Sequence, residues 1–183
     1  MHERSFRLFI FVVIGISITL NGCATQKTET ASLQNAVYVL ESVKDIPTGR
    51  IFSFRDYCVF NSERGSQDSI LDKTLAQADA RLELHFFNRT AALKLVSSSG
   101  DKSAMFLEYQ KRYASEFFFT ESKDTVELTL NLERLDKEMQ ASIKEMSVTE
   151  RDAVLKSVFE KSKDMLIESD EEDNVINYWR KAE

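Results

Sequence analysis

Cys58 and His85 are the residue types from which a thiol nucleophile and its general base are built. Cys58 sits in "FRDYCVF", between aromatic and aliphatic neighbours. An apolar site raises a thiol's pKa and leaves it inert, so these flanks favour a structural cysteine. His85 is the only histidine besides His2 near the N-terminus, which excludes multi-histidine metal centres. "SSSG" at 97–100 lacks the preceding glycine of a nucleophile elbow and reads as a loop. Carboxylate pairs abound in a chain with 30 Asp and Glu, so none is singled out as a general acid or base. The acidic run from Glu168 to Asp173 has neither the glycine nor the alternating oxygen ligands of a calcium loop. We therefore expect no catalytic residue, no metal site and no cofactor, with hydrolysis through Cys58 and His85 kept as the alternative.

The other cysteine stands in a different setting. Arg4 and Arg7 give a basic start, offset in part by Glu3, and Leu8 to Leu20 form thirteen mostly apolar residues. A bilayer-spanning helix needs roughly 17 to 25, so a removed export signal fits better than a retained anchor. The segment ends in "LNGC", with Leu20 three residues before Cys23 and the small Gly22 directly before it. This resembles the lipobox of bacterial lipoproteins. The resemblance implies diacylglycerol on the Cys23 sulfur, cleavage between Gly22 and Cys23, and acylation of the new amino terminus, palmitate being a typical acyl group. Ala24 in place of an aspartate implies export to the outer membrane, in a lipid-anchored, periplasm-facing position. Two or more acyl chains hold stably where one does not. "ATQKTETAS" reads as a polar tether of nine residues that reaches about 30 Å at most.

Removing residues 1–22 leaves 161 of 183, a length suited to one domain. Hydrophobic content of 43% and thirteen phenylalanines describe a folded globule. The chain carries a formal charge of -6, so the basic footprint of a nucleic-acid binder is absent. With Cys23 acylated, Cys58 has no partner for an internal disulfide.

The elements that must position these residues read as mostly helical. Leu33, Ala36, Val37, Leu40 and Val43 recur at helical spacing before Pro47 and Gly49. "RIFSFRDYCVF" alternates through Phe52 and Phe54 as a strand would. Residues 66–100 carry Leu71, Leu75, Ala78, Leu82, Phe86, Leu93 and Val96 near one helical face. "RLELHFF" also alternates, so a break near Asn88 with a short strand beyond it is the variant reading. From Ser103, Phe106, Tyr109, Tyr113 and Phe117 follow helical steps. "TVELTLNLERL" alternates through Val126, Leu128, Leu130 and Leu132 as a half-buried strand running into a helix that carries Leu135, Met139 and Ile143. Ser147 with Glu150 starts another helix, through Val154, Leu155, Val158, Phe159, Met165 and Leu166. Ser169 with Glu172 starts a last short one, with Val175, Ile176 and Trp179 as its apolar, partner-facing side.

These readings specify an α+β protein: a helix-rich single domain with a small antiparallel sheet, the alternative being an all-α bundle. Residues 1–22 are the signal, 23–32 the acylated cysteine and tether, and 33–183 the domain. The expected function is that of a noncatalytic envelope lipoprotein that holds this domain at the outer membrane as an assembly factor, escort or structural component. Its partners are then the membrane and another envelope protein, with no nucleic acid. An apolar-ligand-binding lipoprotein, with a cavity lined by the phenylalanines, is a further alternative.

Overall fold

A computed structural model describes residues 33–64, 69–135, 137–170 and 173–183. Among these residues nine strands form one antiparallel sheet: β1 (Val37–Asp45), β2 (Ile51–Ser53), β3 (Ala80–Phe87), β4 (Thr90–Ser97), β5 (Ser115–Glu121), β6 (Thr125–Leu130), β7 (Lys156–Ser162), β8 (Met165–Asp170) and β9 (Val175–Lys181). The strand order is β2-β1-β3-β4-β5-β6-β7-β8-β9, and β9 also pairs with β1 from Asp45↔Val175 to Tyr38↔Lys181. Eight strands thus close into an up-and-down barrel, with β2 added beside β1. Among the described residues five short α-helices interrupt it: α1 (Phe54–Glu63), α2 (Ser69–Gln77), α3 (Ala104–Tyr113), α4 (Lys137–Glu145) and α5 (Val148–Leu155).

The barrel follows from period-two burial. On β3, Ala80, Leu82, Leu84 and Phe86 are buried inside while Arg81, Glu83 and His85 face out. On β6, Val126, Leu128 and Leu130 are buried in the same way. Apolar-in and charged-out is the reverse of a membrane-spanning barrel. Among the described residues no helix is long and apolar enough to cross a membrane. Phe86 is fully buried in the interior, meeting Tyr38 of the neighbouring β1 edge-on at 5.9 Å and Phe119 of β5 at 5.1 Å.

The helix-rich α+β reading is therefore corrected to an antiparallel barrel, and the reasons are local. In β1 the register shifts between Leu40 and Ser42. This bulge turns Glu41 outward, so Leu40 and Val43 both point inward three residues apart and imitate a helix. Leu82 and Phe86, four apart, satisfy helical and strand periods alike. The strand expected over residues 50–60 is confined to Ile51–Ser53, because Ser53 caps α1 by accepting from the Asp56 amide at 3.1 Å. Phe117 belongs to β5, and Val158, Phe159, Met165 and Leu166 belong to β7 and β8. The closing helix is the strand β9. Three other expectations match: β6 is a strand, a helix (α3) starts after Ser103, and Ser147 with Glu150 forms the capping box of α5.

Antiparallel connectivity sorts the connections by end. The β3–β4, β5–β6 and β7–β8 turns share one end with the entry of β1 and the exit of β9. All five helices lie in connections at the other end. The hairpin end is closed from within by Leu33, 2% exposed, whose amide donates to Glu121 Oε2 at 3.4 Å. Lys161 Nζ holds the same carboxylate at 2.6 Å.

Candidate functional site

Cys58 and His85 are not brought together. Cys58 is the buried residue of α1 at the helical end, where desolvation, with Asp72 adding to it, pushes its thiol up to about 12. His85 faces out near the hairpin end, with Nε2 2.8 Å from Glu83 Oε2 and its ring stacked on Phe87 at 6.0 Å. A thiol so far from ionisation, with no imidazole beside it, lacks the geometry of a nucleophile–base pair. Gly22 and Cys23 lie outside the described residues. Among the described residues no group of three or more His, Cys, Asp or Glu is placed to hold a metal ion.

The expected partner-facing side of Val175, Ile176 and Trp179 is not a single face. In a strand successive side chains alternate, so Val175 and Trp179 point into the barrel, 3% and 2% exposed, and Ile176 points out. Trp179 packs edge-on against Phe159 at 6.3 Å.

Beside Trp179 runs a polar wall that sequence reasoning missed. Ser157 on β7, Glu168 and Asp170 on β8, Asn177 on β9 and Asp45 on β1 are all buried. Glu168 is directly opposite Asn177, whose Nδ2 donates to Glu168 Oε2 at 3.3 Å. Its other oxygen, Oε1, and Trp179 Nε1 are buried and make no hydrogen bond of ordinary geometry, although Trp179 and Ser157 stand near enough to Glu168 to favour its charged form. Complete burial pushes the Glu168 carboxyl up to about 8, with Asp170 raising it further and Asn177, Trp179 and Ser157 only partly offsetting this. Glu168 is thus mostly protonated at neutral pH. Asp45 goes the other way. The Thr48 hydroxyl, then its amide at 3.0 Å and the nearby Arg64 and Arg50, outweigh burial and hold its carboxyl below the usual range.

Across the barrel, β4 and β5 pair only from Thr90↔Phe118 to Leu93↔Ser115, although β4 continues to Ser97. Past that point α3 takes the place of the strand, and Gln110 Nε2 donates to the free carbonyl of Leu95 at 2.9 Å. Tyr109 and Tyr113, four apart on α3, lie over the same seam as Leu93, Phe117 and Phe119. All five pack on the core, yet are only half-buried. Along β5 none of the inward-facing residues is fully buried, so the Phe117 and Phe119 rings pack on the core and keep part of their surface in contact with solvent. This seam is the candidate site. The alternation of "SEFFFTE" carried a signal for the strand, but the termination of pairing beyond Leu93 had none.

The fold and seam define an up-and-down antiparallel barrel of eight strands with a half-buried aromatic seam where β4 and β5 stop pairing. No family model matches the chain, and no curated protein matches it in sequence. A solved structure of an uncharacterized protein from Bacteroides eggerthii DSM 20697 is similar at a TM-score of 0.42 and 11% identity, over 82% of this chain and all of that one. Similarity at that level carries no functional argument.

Proposed function

We propose that this chain is a noncatalytic, lipid-anchored envelope lipoprotein whose barrel binds an apolar ligand at the β4–β5 seam. The half-buried aromatic lining of Leu93, Tyr109, Tyr113, Phe117 and Phe119 carries the reading. Ligand sites are concave, mainly apolar and aromatic, with a few polar groups that fix orientation. An eight-stranded barrel has an interior that side chains fill or that one small ligand shares. The two tyrosine hydroxyls supply polar handles on an otherwise apolar surface. The anchor reading rests on the lipobox ending at Cys23, and places the barrel at the outer membrane on the periplasmic side.

Two measurements test the two parts. Titration with a fluorescent naphthylamine probe should give saturable binding that Phe117→Ala and Tyr113→Ala weaken and that Phe118→Ala, on the outer face of the same strand, leaves unchanged. Equal effects at all three positions, or no saturable binding, would refute the ligand site. Cys23→Ser should release the protein from the outer-membrane fraction or leave it unprocessed. An unchanged fractionation and mature mass would refute the anchor.

A further inference from the structure

The hairpin end carries an apolar row on its outer wall. Phe87 ends β3, Thr90 begins β4 opposite it, and Phe118 of β5 pairs with Thr90. The three side chains stand abreast and outward, Phe87 44% and Phe118 51% exposed. Lys94 Nζ lies 5.8 Å over the Phe87 ring. Each of the three hairpin turns at this end also exposes a cation: Arg89, Lys123 and Lys163. Two carboxylates, Asp124 and Asp164, stand with them, so the turns are net positive in a chain of formal charge -6.

The same end is where the tether enters. Leu33 is locked in the core, and the neighbouring Gln34 donates through Nε2 to Asn88 Oδ1 of the β3–β4 turn at 3.2 Å. The entry point is thereby fixed beside Phe87 and Arg89. The nine residues between Cys23 and Leu33 reach about 30 Å fully extended. A contact this close to its anchor is populated even when weak, because tethering raises the effective concentration.

We infer that the Phe87–Thr90–Phe118 row and the cations of the three hairpin turns dock on the phospholipid surface that holds Cys23, so that the barrel stands hairpin end down. The inference rests on the acylation of Cys23. Apolar rings enter the boundary between headgroups and acyl chains while Lys and Arg meet anionic headgroups. This orientation holds the five helices and α3's side of the seam away from the bilayer.

The test uses the full acylated protein in vesicles of phosphatidylethanolamine, phosphatidylglycerol and a brominated phosphatidylcholine. Phe87→Trp and Phe118→Trp should shift to the blue and lose most of their added emission to bromine quenching. Ile51→Trp, at the exposed helical end, should keep its emission, and the buried Trp179 gives a constant background. An acylated, cosedimenting protein in which Phe87→Trp and Phe118→Trp retain full emission, or in which Ile51→Trp is quenched equally, overturns the docking alone. A protein whose mass shows no lipid on Cys23 and that stays in the supernatant overturns the anchor and the docking together.

Discussion

Replacing Glu168 by Gln should stabilise the barrel at neutral pH and remove most of its pH dependence between 5 and 8. Glu168 is fully buried and its carboxyl is pushed up to about 8 in the fold, against an ordinary value near 4.3. A raised pKa in the folded state means that the native protein binds more protons than the unfolded chain within that window. Stability from this group is thus fully present below the ordinary value and is lost as pH rises through about 8. One unit corresponds to about 1.4 kcal/mol, so by pH 7 the buried group costs about 3 kcal/mol relative to acid conditions. Asp45, held low, acts in the opposite sense and only at acid pH, so the two windows do not overlap. Gln is nearly isosteric, stays neutral and can keep a hydrogen bond with Asn177. Urea unfolding of both proteins at pH 4, 5, 6, 7 and 8 should give curves that converge near pH 4 and diverge to about 3 kcal/mol by pH 7. Parallel curves, or a wild type whose stability is flat across the range, would refute the claim that a buried carboxyl is held neutral there.

Three further outcomes follow from the packing. Cys58 should resist a thiol reagent at pH 8 until denaturant is added, since its thiol is buried and pushed up to about 12; rapid native labelling would contradict its place on the buried face of α1. Trp179→Ala should cost about 3–5 kcal/mol by leaving a cavity against Phe159, while Ile176→Ala should cost far less, and thermal unfolding of the two variants compares them. Lys163 holds a φ of 52° in the β7–β8 turn, so Lys163→Asn should stabilise by about 0.5–1 kcal/mol, because Asn tolerates the left-handed region better; a lower melting temperature would contradict this.

Legibility in the sequence depended on whether inward positions were uniformly apolar. β6 was readable because Val126, Leu128 and Leu130 alternate without interruption. β8 was not, since its inward face runs Leu166, Glu168, Asp170, and two carboxylates on a buried face look like a solvated surface. In β9 the inward Asn177 hides between Val175 and Trp179, and the outward Ile176 completes a false helical stripe. β1 was masked by the bulge at Glu41, which changes the phase in mid-strand. The helix starts at Ser103 and Ser147 were readable because capping is a local hydrogen bond between residues three apart. The seam was illegible because it depends on where β4 and β5 stop pairing, a long-range event. The burial of Cys58 was legible in its apolar flanks.

Binding at the seam is the central claim, and aromatic NMR of the isotopically labelled barrel titrated with an apolar naphthyl probe tests it most directly. The account predicts shift changes concentrated on Tyr109, Tyr113, Phe117 and Phe119, with Phe87, Phe118 and Phe159 unmoved. Changes centred on the outward Phe87 and Phe118, or spread evenly over all the rings, would contradict it.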